Sequence, residues 1–244
     1  MKKLSLLPVV LFIVMSCSKS DPEPNIFIDS ATLDIKFDKE HQYVVMKGSE
    51  TLSGTAVTWK SSDTLVGKID NKGLFKGRKI GQTTITGQVD GKTVESKVTI
   101  SPYSTLFKEP YLVFGSTAAT IKANDKRTIV SDTPTSLTLS GENGTVRAAI
   151  YLFDNLKMKQ VGLFFENSSA AVAEVTRFYN ERYPAHGLVG TNAVFLSDDR
   201  TYGLIMSVNA TLGYNVIYSP STSGGRMPIA NDLEDVYLNA MVKK

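Results

Sequence analysis

Residues 25–102 carry apolar and polar side chains in alternation, in short runs cut by turn residues, and this period of two constrains the fold more than any other feature. Leu33, Ile35 and Phe37 fall on one side of a run while Asp34 and Lys36 fall on the other. Val94, Val98 and Ile100 alternate with Glu95, Lys97 and Thr99 in the same manner. Successive side chains of a strand point to opposite faces, so each run reads as a strand with one buried face. Turn signals recur at short spacing, at Lys47-Gly48, Asp70-Asn71-Lys72-Gly73, Lys79-Ile80-Gly81 and Asp90-Gly91. Many short strands with frequent turns, and no helical period of useful length, predict a β-sandwich. Trp59, the single tryptophan, lies on an alternating run and is expected in the core. Gly73 and Gly77 are expected to permit positive φ in tight turns.

The same residues carry a family resemblance. Val57-Thr58-Trp59-Lys60-Ser61-Ser62-Asp63, then Ile69-Asp70-Asn71-Lys72-Gly73-Leu74-Phe75-Lys76-Gly77, then Gly81-Gln82-Thr83-Thr84-Ile85-Thr86, stand in that order. Together they resemble the bacterial Ig-like domains of group 2. The pattern departs mildly at Gly67 and Lys68. The resemblance implies an Ig-like sandwich over 26–102, of the kind that serves as spacer or adhesive module in surface proteins. It implies no catalysis.

Past Ser101-Pro102-Tyr103 the pattern changes. Ser116 is placed to cap a helix over 117–123, and strands are expected at 146–153 and 159–165 around a turn at Asp154-Asn155. A helix is predicted over 169–182, where Val172, Val175, Phe178 or Tyr179, and Arg182 share one side. Pro184 and Gly187 stop it. Strands follow at 193–197, 201–208 and 214–218, the first two joined through Asp198-Asp199-Arg200. Asn231-Asp232-Leu233-Glu234 reads as a cap before an apolar stripe of Leu233, Val236, Tyr237, Ala240 and Met241. Residues 103–244 are therefore expected to form an α+β domain, a smaller antiparallel sheet with helices on one side. Phe107-Lys108-Glu109-Pro110-Tyr111-Leu112-Val113-Phe114-Gly115 resembles the start of an uncharacterised domain that often follows a group 2 Ig-like domain in Bacteroidetes lipoproteins. The element order also loosely resembles small periplasmic binding or inhibitor-type α+β lipoproteins. Neither likeness transfers an activity.

The beginning of the chain reads as an export signal. Lys2 and Lys3 precede an apolar run over 4–15, and Ser16 is a small residue at the expected cut. Such a run is too short to span a hydrocarbon core of about 30 Å. Val14-Met15-Ser16-Cys17 resembles the lipobox of bacterial lipoproteins, and Cys17 is the only cysteine. The alternative is an ordinary secretory signal with a chance cysteine. The lipoprotein reading makes 1–16 a signal peptide, Cys17 the lipidated residue, acylated by palmitate-type chains, and 17–25 a tether. Two or three acyl chains anchor stably where one is marginal. The acidic residues behind Cys17 resemble, sparsely, an outward-export signal of Bacteroidetes-type lipoproteins. The expected location is the outer membrane, facing the periplasm or the cell surface.

Composition excludes some functions. Losing Lys2 and Lys3 takes 27 basic residues to 25 against 24 acidic ones, so there is no basic excess for nucleic acid to meet. With its one thiol lipidated, the mature chain forms no internal disulfide and is held by apolar burial alone. A catalytic site needs a nucleophile, a base and an orienting group. The only imidazoles, His41 and His186, are both assigned to turns, and no metal-binding or nucleophile motif accompanies them. Ser223-Gly224-Gly225-Arg226 lacks the residues of a phosphate loop. Asp198-Asp199 reads as a hairpin turn sooner than as paired carboxylates. No cofactor and no metal are expected.

Aromatic side chains remain as candidate contacts, with Tyr202, Tyr214 and Tyr218 on late strands and Tyr103, Phe107, Tyr111 and Phe114 near the join. A glycan platform is one reading, an aromatic core the other. Ser30, in Asp29-Ser30-Ala31, and Thr64, in Asp63-Thr64-Leu65, match a short acceptor pattern that resembles Bacteroidetes O-glycosylation sites. The leading expectation is a non-catalytic, lipid-anchored envelope protein, its Ig-like module a spacer or adhesion domain and its second domain a recognition surface for a glycan or protein. The alternatives are a carbohydrate-active enzyme that uses acidic residues, or a subunit of a surface assembly. Cys17→Ser is expected to leave a precursor of unchanged length that no longer partitions into detergent; a variant that still fractionates with membranes would refute the anchor.

Overall fold

The computed structural model describes residues 23–209 and 212–221. Its first ten strands are β1 (Ile26–Ile28), β2 (Thr32–Lys36), β3 (Glu40–Gln42), β4 (Val45–Lys47), β5 (Glu50–Thr51), β6 (Thr58–Ser61), β7 (Gly67–Ile69), β8 (Leu74–Gly77), β9 (Gly81–Val89) and β10 (Lys92–Ser101). They form three small sheets, ordered β1-β4-β5, β2-β10-β9-β6 and β3-β8-β7. All the pairs are antiparallel except β2 with β10, which runs parallel.

The alternation sets this arrangement. Val94, Val98 and Ile100 are buried while Glu95 and Lys97 are exposed, and Phe75 and Ile85 at 0 % exposure sit at the centre of the first core. Asp90 and Gly91 both hold positive φ, 50° and 73°, as a two-residue hairpin between twisted strands requires. Gly73 adopts φ 84°, and a Cβ there would come within 3.0 Å of the Trp59 ring. Gly77 does not have positive φ; a Cβ there would meet Ile100 Cδ1 at 3.1 Å, a tight contact. Trp59 is half-buried, packed against the core, with Nε1 donating to the Gly54 carbonyl at 3.0 Å.

The second region holds α1 (Ala118–Asn124), β11 (Ile129–Asp132), β12 (Ser136–Ser140), β13 (Val146–Asp154), β14 (Lys157–Phe165), α2 (Ser169–Asn180), β15 (Ala185–Val189), β16 (Asn192–Leu196), β17 (Tyr202–Asn209) and β18 (Gly213–Pro220). Its strands make one eight-stranded sheet, ordered β11-β12-β13-β14-β18-β17-β16-β15. The expectation of a smaller sheet is thereby corrected: this sheet is the largest described, and α1 and α2 are short beside it. β11, β12 and β15 are absent from the sequence reading. β11 is four residues long, and β15 contains a glycine and is exposed throughout, so pairing rather than propensity makes them strands. The cap of α1 is Thr117, one residue past Ser116, and accepts from Thr120 N. The stripe expected over 233–241 lies outside the described residues.

The sheet buries one face under Ile121 of α1 and Val175, Phe178 and Tyr179 of α2, together with Leu137, Leu139, Tyr151, Leu163, Phe165, Val216 and Tyr218. A smaller cluster of Ala148, Ile150, Leu152, Phe164, Leu212 and Ile217 lies apart from it. Among the described residues, no helix is long and apolar enough to cross a membrane.

The two regions meet at the end of α2. Glu181 is 0 % exposed, and its carboxylate accepts from the backbone of Tyr103 at 3.0 Å and of Ser104 at 3.1 Å, the residues that join the regions. Its own carbonyl accepts from Ile80 N, in the loop before β9, at 2.8 Å. Arg182 donates to the carbonyls of Ser104 and Phe178 and lies 3.5 Å from the Phe178 ring centroid. Lys79 adds an ion pair with Asp198 across the same joint. Charged acceptors make the stronger hydrogen bonds, and a buried donor that loses its acceptor bears the full desolvation cost. Glu181→Ala is therefore expected to lower the unfolding free energy by about 2–5 kcal/mol in urea titration, with Glu181→Gln losing less. A loss below about 0.5 kcal/mol would contradict the clamp, because it would leave the buried Ser104 donor unaccounted for.

Candidate functional site

Residues 105–117 run from the joint toward α1, and Glu109 lies on this stretch beside the core. Tyr183 donates to Glu109 Oε1 at 2.6 Å and Tyr218 to the same oxygen at 3.1 Å. The Tyr218 hydroxyl meets that of Tyr179 at 2.6 Å, and the Tyr183 hydroxyl meets that of Tyr202 at 3.2 Å. The result is a chain of four phenols with one carboxyl at its centre. Burial raises the Glu109 carboxyl above the usual carboxylate range, against the opposing pull of the two phenol bonds and of Arg182. Burial likewise holds Tyr179, Tyr183 and Tyr218 far above the ordinary phenol value, so all remain proton donors. Glu109, Tyr183, Tyr202, Arg182 and Ser197 line a cavity of about 280 Å³ with Lys79, Ile80 and Asp198.

On its other side Glu109 borders a larger groove of about 640 Å³. Its walls are residues 108–111, the end of α1 with residues 125–128, and residues 140–142 at the end of β12. Arg127, 5 % exposed in its side chain, ties the walls together: it bonds Asp125 at 2.7 Å and Glu142 at 2.5 Å, and donates to the Lys108 carbonyl. Asp125 also accepts from the Tyr151 hydroxyl at 2.5 Å, and that hydroxyl accepts from Tyr111 N at 2.8 Å. Glu142 takes the Lys108 backbone N–H as well. Lys108, Lys126 and Arg127 line it together with Asp125, Glu142 and the buried Glu109, so the lining carries groups of both signs while offering many donors and acceptors. Such a groove suits a neutral, hydroxyl-rich or peptide-like ligand better than a strongly charged one.

The residues singled out from sequence scatter. Cys17 lies outside the described residues. Ser30 is half-buried after β1, and Thr64 is exposed in the loop before β7. Tyr202 borders the smaller cavity, but Tyr214 and Tyr218 are 3 % and 0 % exposed and belong to the core. The three therefore do not make a platform for a sugar face: inward positions of β18 point both side chains at α2. Tyr214 meets the Thr176 hydroxyl at 3.0 Å. His41 lies within β3, not in a turn, and faces Asp29 at 3.2 Å; His186 is exposed on β15. Asp198 pairs with Lys79, whereas Asp199 accepts from Ser197 and Thr201, which holds its carboxyl below the usual value. Asp198-Asp199 is thus a turn with separate partners. Among the described residues, no group of His, Cys, Asp and Glu is placed to hold a metal.

Sequence reasoning passed over Glu109, Arg127 and Glu181. Glu109 carried a signal, an acid enclosed by Phe107, Pro110 and Tyr111. Arg127 and Glu181 carried none, since Glu142 and Lys108 stand far from the first in the chain, and Tyr103 and Ser104 far from the second.

Residues 24–101 match the family of bacterial Ig-like domains, group 2, so the first region is such a domain. No curated protein matches the chain. Among solved structures, the chain is similar to the surface layer protein SbsC, domains 4–9, at 12% identity and a TM-score of 0.29, covering 83% of this chain and 28% of that one. Domains 5–6 of the S-layer protein SbsC are similar at 12% identity and a TM-score of 0.29, with 84% of this chain and 86% of that chain covered. The S-layer protein rSbsC(31-844) is similar at 14% identity and a TM-score of 0.29, over 78% of this chain and 26% of its own.

The raised Glu109 carboxyl has a consequence for stability. A group whose folded pKa lies above its unfolded value contributes stability that is full below the unfolded value, 4.5, and is lost as pH rises through the folded one. Glu109→Gln, which stays neutral and keeps an acceptor, is expected to remove that loss. Urea midpoints measured at stepped pH above 4.5 should decline less in the variant than in the parent, and parallel declines would contradict the assignment.

Proposed function

We propose that this chain is a non-catalytic, lipid-anchored protein of the cell envelope whose second domain is a recognition module for a glycan. In this reading Cys17 bears the lipid, residues 17–25 are the tether, and the Ig-like domain is the spacer that carries the recognition module outward. The groove between residues 108–111, 125–128 and 140–142 is the binding surface. One observation carries the reading: the acids Asp125 and Glu142 are both held by Arg127. Carboxylates engaged in this way brace a polar groove, with oxygens already bonded to the guanidinium. A carbohydrate-active enzyme would need two carboxyl groups free to donate a proton or attack a sugar, about 5–9.5 Å apart across a cleft. The lining of mixed charge supplies many partners for hydroxyl groups, as recognition of neutral sugars requires. A protein ligand is the other occupant that this lining fits.

The test is direct. Purified protein applied to an immobilised panel of bacterial-surface and host-matrix glycans should retain at least one class. Thr128→Trp, at an exposed position on the groove wall, should lose that binding at least tenfold while circular dichroism stays unchanged. Binding untouched by Thr128→Trp would remove the groove from the account. An empty panel would leave only a structural role, or a protein ligand, for the second domain.

A further inference from the structure

Independently of the groove, the eight-stranded sheet carries a second surface. Its order leaves β11 and β15 as the two edges, and among the described residues neither pairs on its outer side. Every neighbouring pair in the sheet is antiparallel. With an even number of alternating strands, the two edges run in opposite directions. A second copy placed beside the first in the same orientation therefore brings its β11 against β15 of its neighbour in antiparallel sense, and the sheet continues without a break in its pattern.

The side chains at these edges point the same way. Leu188 and Val189 on β15 are 74% and 59% exposed, and Ile129 and Val130 on β11 are 49% and 41% exposed. Each edge thus offers two large apolar residues adjacent in sequence, on opposite faces for Leu188 and Val189 in their regular register, and beside a register shift for Ile129 and Val130. Natural edge strands are blunted by lysine, proline, inward charge, short length or a β-bulge. Ala185–Val189 contains no lysine, proline or acid. A register shift between Ala185 and Gly187 interrupts the start of β15, but Leu188 and Val189 lie beyond it, in regular register with Ala193 and Asn192. A matching shift on β11 falls between Ile129 and Ser131.

We propose that β15 of one copy pairs with β11 of the next, so that the chain assembles head to tail through its second domain. The occupant of each edge is a second copy of this chain. Pairing of β15 with itself about a two-fold axis would cover Leu188 and Val189 but leave Ile129 and Val130 exposed, whereas the head-to-tail contact covers both pairs at once. Being heterologous, it does not close on itself and grows into linear assemblies. The strands are short, so the buried area falls below the roughly 1,200 Å² of a standard stable interface and the contact is weak in free solution. Covalent trapping is the suitable readout.

In the full chain carrying Cys17→Ser, so that introduced thiols are the only ones, Val130→Cys and Val189→Cys are installed singly and together. Both positions are exposed, and unchanged circular dichroism and urea midpoints establish that the variants fold. A short bis-maleimide, which tolerates either register, should convert the double variant into a ladder of dimers, trimers and larger species, while each single variant stays monomeric. Adding Leu188→Lys to the double variant should remove the ladder. A Val189→Cys single variant that forms dimers as readily as the double variant would overturn the proposal in favour of two-fold pairing. A double variant that stays monomeric at every protein concentration tested, or a ladder indifferent to Leu188→Lys, would overturn it as well.

Discussion

The whole arrangement depends on one buried carboxylate. Glu181 stands at the last turn of α2 with 0 % exposure, and it accepts from the two backbone donors that link an Ig-like domain to the sheet behind it. A full charge out of water is tolerable only when its lone pairs are filled, and here backbone N–H groups and the neighbouring Arg182 guanidinium fill them. The linker cannot swing without leaving that charge bare. Because the Glu181 carbonyl also takes Ile80 N, the same residue fixes a loop of the first domain, and α2 becomes the hinge pin of a joint that does not turn.

That joint also shapes what lies beyond it. The residue after the clamp, Arg182, and the next one, Tyr183, reach toward Glu109 and place it at the centre of the phenol chain. The stretch that carries Glu109 then forms one wall of the groove, and Arg127 pins it to the other walls. Position passes from α2 to the groove through a sequence of hydrogen bonds between buried or half-buried groups. Each is strengthened by its low-dielectric surroundings and would be costly to leave half made. The polar network of the second domain thus serves geometry first.

Much of this was legible in the residues. The period of two in the first region, the Asp90-Gly91 turn and the Trp59 strand mark an Ig-like sandwich because each is a local rule: pleat, turn chemistry, packing of one large ring. The helix under the sheet was legible for the same reason, its buried Val175, Phe178 and Tyr179 falling on one side. The short strands were not. Ser136–Ser140 does alternate, yet five residues decide little alone, and Ala185–Val189 is a strand only because β16 lies beside it. The site was least legible of all. Glu181 meets residues 77 and 78 positions away, Arg127 meets one 19 away, and no spacing rule announces such pairs. Tyr214 and Tyr218 illustrate the converse: an aromatic on a strand serves a core or a platform, and only the placed helix separates the two.

The claim that two domains form one body through Glu181 is open to a distance measurement. Spin labels attached at Leu65→Cys in the first domain and Leu156→Cys in the second, both at exposed positions and in a Cys17→Ser background, report the separation across the joint by double electron–electron resonance. The account predicts a single narrow distance distribution. A broad distribution, such as a free linker produces, would contradict it.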